Sequence, residues 1–595
     1  MELKDGYIED FISSIPVRAT PEEVEAVQVF SRILVEDYGY PRGLIQTRPQ
    51  WRVRARPSDT KKEYPVDISV FSDGDHTEDN IQIIVECKKK SRKDGMTQLQ
   101  DYLRFSKARV GVWFNGAERL FLQKHERDGK IEFSELPNIP RYGQRVEDIG
   151  KFKREDLKPA TSLKPVFNAI RNYLAANAVG ITRDEVFAQE LIKLIFCKIY
   201  DERFTKKDDI VTFRAGTNEE DKEVKKRIMD LFEKVKSQYD DVIDIGDSIS
   251  LDEKALTYVV GELQLYSLRD SSRDAVGEAF EIFIGPSLKG SQGQFFTPRN
   301  VVKMIIDMID PTPDQKIIDP ACGSGGFLVE ALRYVWAKVQ AKGEELGWPD
   351  SEIESEKQAV AIKNFRGIDK DSFLSTVAKA YMAILGDGRG GVFCENSLDR
   401  SSNWQNSARN QVQLNEFDVV ITNPPFGRKL VIDSEDILKQ YDLGHQWKYN
   451  SDTNSFEKST LQNKQTPQIL FIERCLDLLK DGGRLGIVLP ESIFGMPKFQ
   501  FVVDYLEKKT KILAIVTMPE ALFQPNTHAK CCVVICEKIS ESLGDNYSIF
   551  MADVKWCGHD SRGNPTIIKE GEEKYVLLDD IPNVASLYHK GPERQ

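Results

Sequence analysis

The sequence predicts a multidomain α/β protein with an N-terminal α/β domain, a mainly helical stretch and a larger C-terminal α/β domain. At 595 residues the chain is long enough for several domains of about 150 residues each. Residues 315–332 read as a strand, a Gly-rich turn and a helix, and residues 187–196 have helical periodicity. We place the domains at 1–150, 155–290, 291–540 and 541–595, the last being a C-terminal extension that contacts a partner.

The N-terminal domain carries two strand patterns with charged residues, 64–71 and 81–88. Glu86 and Lys88 share one face of the second strand, because alternate residues of a strand point the same way. Asp67 on the neighbouring strand joins them. Two carboxylates can hold Mg²⁺ by oxygen ligation, and the cation can then activate water and stabilise charge on a phosphate. Lys88 can position the attacking water.

A helix pattern after this cluster carries Gln98 and Tyr102, which lie one helical turn apart on one face. Taken alone, residues 86–88 also fit an edge strand with solvated charges.

In the C-terminal domain, Asn423, Pro424, Pro425 and Phe426 follow the apolar strand pattern 417–422. An amide oxygen and a proline carbonyl can accept hydrogen bonds from both hydrogens of an exocyclic amine. The Phe426 ring can stack on a base. This pattern favours methyl transfer to an amino group, although a strand-ending proline turn explains the tetrapeptide equally well.

The Gly-rich turn 320–327 lets a ligand approach the backbone between strand and helix. Asp319 before the turn can hold the ammonium group of a methyl donor, and Asp369 after the strand 365–368 can bind two ribose hydroxyls. The two acids lie farther apart than the ~20 residues of a dinucleotide fold. We attribute this to one long helix with a charged insertion at 343–357.

Residues 293–299, the Gly-rich turn and the Asn-Pro-Pro-Phe tetrapeptide together resemble the amino-methyltransferases of DNA restriction–modification systems, in particular the modification subunit of Type I systems. The resemblance implies a Rossmann-like class I methyltransferase domain that methylates adenine N6 at specific DNA sites, using S-adenosyl-L-methionine, in host defence. Its catalytic residues would be Asn423, Pro424, Pro425 and Phe426. Its implied donor-binding residues are Gln294, Phe295, Phe296, Thr297, Pro298, Arg299, Asp319, Gly323, Ser324, Gly325, Gly326, Asp369 and Asn396.

The N-terminal cluster is similar to the PD-(D/E)xK nuclease core, and in particular to the N-terminal domain of Type I restriction subunits. The resemblance implies a Mg²⁺-dependent, type II-like endodeoxyribonuclease with Asp67 and Glu86 as metal ligands. Its implied catalytic residues are Asp67, Glu86, Lys88, Gln98 and Tyr102, the last two on a helix after the Glu-x-Lys strand. It also implies that an acid of the first helix, Glu22, Glu23 or Glu25, completes the cluster. Some Type IIB enzymes also combine a nuclease and a methyltransferase in one chain. Residues 163–287 resemble the helical N-terminal domain of Type I modification subunits.

The expected partners are double-stranded DNA, a separate specificity subunit and, as a further candidate, other copies of the chain. The net charge of −12 differs from that of a small basic DNA-binding module. Nine scattered cysteines suit a reducing compartment, and no apolar run reaches the ~18 residues of a membrane span. We therefore expect a cytoplasmic protein without a membrane anchor. The chain has no phosphate-binding loop of an ATP-driven motor.

Three other hypotheses remain open from the sequence. The N-terminal domain can bind DNA without cutting it. The C-terminal domain can methylate glutamine side chains of a protein, although Phe426 stands where those enzymes usually have tyrosine. The chain can also be a scaffold without turnover. We interpret residues 427–467 as a mobile loop that covers a flipped base, with a disordered insertion as the alternative.

Overall fold

The computed structural model describes residues 6–54, 63–127, 129–160, 163–180, 183–239, 242–243, 246–271, 297–386, 391–427, 430–453, 455–524, 528–541, 547–570 and 574–591. The chain divides into two compact units, Met1–Phe283 and Ile284–Gln595.

The first unit is built around a six-stranded mixed sheet. Ile81–Cys87 and Val110–Phe114 pair in parallel, which requires a crossover, and the helix Met96–Phe105 supplies it. Gly111 lets this helix approach closely, because a Cβ atom there would lie 2.6 Å from Leu103 Cδ1. Across the sheet the strands are Lys130–Leu136, Arg119–Arg127, Val110–Phe114, Ile81–Cys87, Ile68–Phe71 and Ile45–Gln46.

The prediction of a single strand at 64–71 is wrong, because the structure has two shorter strands there. Glu63–Pro65 pairs with Arg52–Arg54 in a separate hairpin, and Ile68–Phe71 belongs to the main sheet. Proline has no backbone N–H to donate to a neighbouring strand, which is consistent with the end of the first strand at Pro65. Asp67 therefore lies in the break between two strands rather than within one.

The described part of the stretch 163–287 is mainly helical. Its hydrophobic stripes are buried, including Phe167, Leu194 and Phe232. The remaining strands of the unit are the hairpin Tyr7–Glu9 with Pro16–Arg18 and the parallel pair Lys158–Pro159 with Tyr266–Ser267. The α-helices of the unit are Gln28–Glu36, Met96–Phe105, Lys164–Asn177, Asp184–Phe204, Asp221–Gln238 and Glu253–Leu263.

The second unit is built around an eight-stranded mixed sheet. The predicted strand at 417–422 has the bounds Phe417–Thr422 in the structure, and the strand predicted at 365–368 has the bounds Phe365–Asp369. Cys531–Lys538 is the antiparallel strand and is buried from Cys531 to Cys536, as its unbroken apolar run predicts. Across the sheet the strands are Val392–Cys394, Phe365–Asp369, Ile317–Asp319, Phe417–Thr422, Leu479–Pro490, Cys531–Lys538, Thr510–Thr517 and Phe550–Asp553.

The strand order of this sheet reverses between Ile317–Asp319 and Phe417–Thr422. The chain first adds strands on one side of Ile317–Asp319 and then returns to its other side, where Phe417–Thr422 pairs in parallel. In open α/β sheets, ligands bind in the crevice outside the carboxyl ends of strands at such a switch point. The topology therefore brings the residues after these two strands to one candidate site.

Two expectations about connecting segments differ from the structure. The single long helix after the Gly-rich turn is two helices, Gly326–Leu346 and Asp350–Asn364, and Gly347 ends the first with a φ of +69°. The segment expected as a mobile loop contains the hairpin His445–Asn450 with Ser455–Leu461. Trp447 holds this hairpin by packing on Phe501 and Tyr505, a contact between distant residues that sequence periodicity does not reveal.

The other elements of the second unit surround the sheet. The hairpin Ile567–Glu570 with Lys574–Leu577 lies in the C-terminal extension. Within the described ranges, no helix combines the length and the apolarity that crossing a membrane requires. The helices are Arg299–Ile309, Gly326–Leu346, Asp350–Asn364, Ser372–Gly386, Asn406–Gln411, Glu435–Leu438, Pro467–Leu478, Ser492–Gly495, Gln500–Lys509 and Ile581–Lys590.

A buried ion pair within the first unit gives a testable prediction. Arg119 is 3% exposed and Glu262 is 0% exposed, and Arg119 Nε donates to Glu262 Oε2 at 2.7 Å. Removing one partner leaves an uncompensated buried charge, which costs roughly 3–5 kcal/mol. We expect Glu262→Ala to lower the denaturant midpoint of the first unit accordingly, as followed by circular dichroism of the full chain.

The matched control is Glu135→Ala, which removes an exposed ion pair with Lys254 in the same unit. It should shift the midpoint far less, because exposed pairs contribute little. Equal shifts in the two variants would contradict the stabilising role of Glu262.

Candidate functional site

A cavity of about 210 Å³ lies at the carboxyl ends of Ile317–Asp319 and Phe417–Thr422. It joins the Gly-rich turn to the Asn-Pro-Pro-Phe tetrapeptide, so two of the sequence motifs share one site. The residues around it are Thr297, Val302, Asp319, Pro320, Ala321, Cys322, Gly323, Ser324, Gly326, Phe327, Asp369, Lys370, Leu374, Asn396, Ser397, Leu398, Asn423, Pro424, Pro425, Phe426, Leu430, Val431, Ile432, Pro467 and Phe471.

The Gly-rich turn is fixed by backbone hydrogen bonds. Cys322 N donates to Ile368 O at 3.0 Å, and Gly325 N donates to Cys322 O at 2.8 Å. Gly323 and Gly325 have φ values of +52° and +88°, a region that favours glycine. A Cβ atom on Gly323 would meet nothing within 4 Å, so the turn presents bare backbone to open space, as close approach of a ligand requires.

Asp319 ends its strand beside the turn and is 1% exposed. Its Oδ1 accepts a hydrogen bond from Ala321 N at 3.0 Å. Burial raises the pKa of Asp319 to about 7, and the nearby Asp369 raises it further. A cationic group bound beside Asp319 would favour its ionised form, so the residue suits an ammonium ligand.

Asp369 lies one strand further along the sheet and is held by two backbone amides. Gly323 N donates to its Oδ2 at 2.9 Å and Asp371 N to its Oδ1 at 2.9 Å. Burial raises its pKa despite these bonds. Each oxygen retains acceptor capacity for a ligand hydroxyl. Asn396, after the next strand, lines the same cavity, and its Oδ1 accepts from Leu398 N at 3.2 Å.

Asn423 presents an acceptor to the opposite side of the cavity. Its Nδ2 donates to Thr297 Oγ1 at 3.0 Å, which orients the side-chain amide. Its Oδ1 is buried and has no hydrogen-bond partner among the described residues. A buried acceptor without a donor is costly, so this oxygen suits an amine that a ligand would bring.

Phe426 is 3% exposed and packs edge-on against Phe523, with ring centroids 5.9 Å apart.

Among the remaining residues predicted to bind the donor, Thr297, Ser324 and Gly326 line the cavity, whereas Pro298, Arg299 and Gly325 do not. Arg299 instead donates to the Tyr381 hydroxyl at 3.2 Å. Gln294, Phe295 and Phe296 lie outside the described residues.

The first unit brings Asp67, Glu86 and Lys88 together. Glu86 is 1% exposed and forms a buried ion pair with Lys88. Asp67 Oδ2 accepts from Cys87 N at 2.7 Å. Burial raises the pKa of Asp67 to about 6 and that of Glu86 to about 7, and the charge of Asp67 raises the pKa of Glu86 further.

Gln98 and Tyr102 also meet, because Gln98 Nε2 donates to the Tyr102 hydroxyl at 2.5 Å. The Tyr102 hydroxyl in turn donates to Pro65 O at 3.0 Å, two residues before Asp67. Of the three first-helix acids, Glu22 acts electrostatically on Asp67 and Glu86. Glu23 is instead paired with Arg48.

Asp67 and Glu86 offer two carboxylates to a divalent cation, and Lys88 is already paired with Glu86. The charge of Asp67 raises the pKa of Glu86, which a bound cation would relieve, and oxygen is the ligand that Mg²⁺ prefers. Asp67 and Glu86 are the residues that would hold it. The described residues include no group of three or more His, Cys, Asp or Glu side chains placed to hold a metal ion.

A Rossmann-like mixed sheet with a Gly-rich turn, two acids and an Asn-Pro-Pro-Phe tetrapeptide at its switch point defines a methyltransferase fold. The chain belongs to the N-6 DNA methylase family, whose model matches residues 271–576, just over half of its length. Residues 21–140 match a second model, the N terminus of the Type I restriction enzyme R protein.

Individual relatives agree with this assignment at low identity. The Type I restriction enzyme EcoEI methylase subunit of Escherichia coli is 23% identical over 49% of this chain and 56% of its own. The Type II restriction enzyme and methyltransferase RM.BcgI of Heyndrickxia coagulans is 21% identical over 47% of this chain and 37% of its own. A solved structure of a type I R-M system covers 69% of this chain and 81% of its own, with 20% identity and a TM-score of 0.48.

The chain spans about half the length of the methylase subunits it matches, between 42% and 56% for the first five.

Sequence reasoning missed the apolar wall of the cavity. Leu398, Ile432 and Phe471 line it from three separate segments. These residues carry no motif, since only their position in the fold brings them together.

The raised pKa of Asp319 predicts a pH dependence of stability. The folded state holds the proton up to a pKa of about 7, whereas the unfolded carboxyl releases it near its ordinary pKa of 3.8. Asp319 therefore costs stability increasingly as pH rises between these values, by an amount on the order of a few kcal/mol. Relative to wild type, Asp319→Asn should gain unfolding free energy from about pH 5 to about pH 8 in urea titrations.

Asp314→Asn is the control for this series. Asp314 is exposed, and its hydrogen bond with the Thr312 hydroxyl lowers its pKa, so it stays ionised across the range tested. A difference between Asp319→Asn and wild type that does not change with pH would show that Asp319 is ionised in the folded chain.

Proposed function

We propose that the chain is the methylating subunit of a Type I-like restriction–modification system and that it methylates adenine N6 in double-stranded DNA. The observation that carries the proposal is the buried Asn423 Oδ1, which finds no hydrogen-bond partner in the described part of the chain and shares one cavity with the Gly-rich turn, Asp319 and Asp369. One side of that cavity suits a methyl donor, and the other suits an exocyclic amine.

S-adenosyl-L-methionine fits the donor side and would supply an electrophilic methyl group. Asp319 would hold its ammonium group, Asp369 its ribose hydroxyls, and Asn396 its adenine. The bare backbone at Gly323 would lie against it. The raised pKa of Asp319 supports this arrangement, since a bound ammonium would stabilise the ionised carboxylate.

Asn423 and Pro424 would prepare the target amine. The lone pair of adenine N6 is delocalised into the ring, and hydrogen bonds from the amine to Asn423 Oδ1 and Pro424 O would make the nitrogen a better nucleophile. Thr297 would keep the Asn423 amide in the required orientation through its hydrogen bond to Nδ2. Phe426 would support the base, which has to leave the duplex at a cost of a few kcal/mol.

The proposed partners are DNA and a separate specificity subunit that selects the target sequence. The similarity to Type I methylase subunits supports this assembly. Glutamine methylation of a protein remains the competing activity for the same cavity, because a side-chain amide also offers an amino group to Asn423.

We further propose that the first unit is a Mg²⁺-dependent endonuclease acting on unmodified DNA. Three observations support it: the buried Glu86–Lys88 pair, the position of Asp67 beside them, and the match to a restriction-subunit N terminus. The name of the BcgI relative joins restriction and methylation in one protein. Mg²⁺ held by Asp67 and Glu86 would supply charge stabilisation, while Lys88 would position water.

Asn423→Ala should abolish methyl transfer without abolishing donor binding. Removing a preorganised polar group from a reaction centre costs about 100-fold or more in rate. Tritium transfer from labelled S-adenosylmethionine to unmethylated DNA, by the chain assembled with its specificity subunit, measures the loss. Calorimetry on the same variant should show donor affinity close to that of wild type.

Asn410→Ala is the matched control, because Asn410 is exposed on the helix Asn406–Gln411 and does not line the cavity. If the Asn423→Ala variant methylates DNA as well as wild type does, Asn423 has no role in the reaction. Label found in protein rather than in DNA with the wild-type chain would favour the glutamine methyltransferase.

Lys88→Ala should abolish cleavage of unmethylated DNA in the presence of Mg²⁺ and leave methylation intact. The buried ion pair with Glu86 holds the Lys88 ammonium group beside the two carboxylates. The measurement is cleavage of supercoiled plasmid by the assembled complex, with and without ATP.

Lys93→Ala serves as the control from the same basic run, since its side chain is 66% exposed. Absence of cleavage by wild type under all of these conditions would contradict the endonuclease proposal. Retained cleavage in Lys88→Ala would place the nuclease centre elsewhere.

A further inference from the structure

The turn Asn396–Asp399 on the donor side of the cavity is tied to the segment 430–465, which follows the Asn-Pro-Pro-Phe tetrapeptide. Tyr441 makes the link. It is 1% exposed, and its hydroxyl donates to Leu398 O at 2.9 Å. One buried side chain thus connects the two sides of the site.

Arg474 completes this link from the helix Pro467–Leu478. Its Nε donates to the Tyr441 hydroxyl at 2.8 Å, and its terminal nitrogen donates to Asp399 O at 3.1 Å. The hydroxyl therefore accepts from Arg474 and donates to Leu398, which fixes its direction. Burial raises the pKa of Tyr441, so the hydroxyl keeps the proton that it donates.

Apolar packing encloses the same link. Leu398, Leu438, Tyr441 and Leu470 belong to one buried cluster, and Ala321 of the Gly-rich turn packs against it. The cluster therefore includes residues from both donor-side turns and from the segment after the tetrapeptide.

Glu473 anchors the other side of Tyr441. Its carboxylate oxygens accept from Asp442 N and from Leu443 N, both at 2.8 Å. The backbone directly after Tyr441 is thereby held to the helix that carries Arg474. Neighbouring residues of one helix thus fix both the hydroxyl and the backbone at Tyr441.

We propose that Tyr441 is a positioning residue for methyl-donor binding, acting by holding the Asn396–Asp399 turn against the segment that follows the Asn-Pro-Pro-Phe tetrapeptide. The inference rests on the proposed function, because it takes Asn396 as a contact of the donor. Tyr441 does not line the cavity, so its effect passes through the turn.

Tyr441→Phe tests the proposal, since it keeps the buried ring and removes the hydroxyl. We expect about a tenfold weaker affinity for S-adenosylmethionine by calorimetry on the full chain, because Leu398 O and Arg474 Nε lose their partner. In the assembled enzyme the donor KM should rise while kcat at saturating donor stays within about twofold. Tyr505→Phe, a buried tyrosine that packs on Trp447, should change neither.

A double-mutant cycle with Asn396→Ala separates the inference from the proposed function. If Tyr441 acts through the turn, the double variant loses less affinity than the product of the single losses. Multiplicative losses, or wild-type affinity in Tyr441→Phe, would overturn the role of Tyr441. Wild-type affinity in Asn396→Ala would instead contradict the proposed donor site itself.

Arg474→Lys provides a second variant should Tyr441→Phe not fold. A lysine keeps the charge but lacks the planar fork that reaches both the Tyr441 hydroxyl and Asp399 O. It should weaken donor binding in the same direction. An unchanged affinity in a folded Arg474→Lys variant would also count against the inference.

Discussion

The parallel pairing of Ile317–Asp319 with Phe417–Thr422 is the constraint on which the site depends. Ile317 pairs with Val419 and Ile318 with Val420, and all four side chains are at most 1% exposed. Because the strands run the same way, the residues that follow both of them emerge at one edge of the sheet. The acid, the Gly-rich turn and the Asn423 amide meet there although about a hundred residues separate them along the chain.

The parts of the fold that are best predicted from the sequence are local motifs and strands that are buried on both faces of a sheet. Cys531–Cys536 is an unbroken apolar run, and Phe417–Thr422 is apolar apart from Asp418 and Thr422; both compositions are typical of central strands. The break around Asp67 and the Trp447-anchored hairpin depend on partners far along the chain. The same division holds for the site, since Asn423 belongs to a motif, whereas Tyr441 is recognisable only from its contacts.

Both proposed centres use buried carboxylates whose ionisation is disfavoured in the protein alone. Burial raises the pKa of Asp319 in the second unit and of Asp67 and Glu86 in the first. Each centre thus gains from a positive charge, which in the proposed function is an ammonium group in one and Mg²⁺ in the other. The two chemistries differ, yet the same electrostatic arrangement prepares both for their ligands.

The central claim is that one cavity holds the methyl donor beside Asp319 and the target amine beside Asn423. A crystal structure of the full chain with S-adenosylhomocysteine tests it most directly. The account predicts the amino group of the ligand at Asp319, its ribose at Asp369 and its sulfur facing Asn423 Oδ1. A ligand bound outside this cavity, or with its sulfur turned away from Asn423, would contradict it.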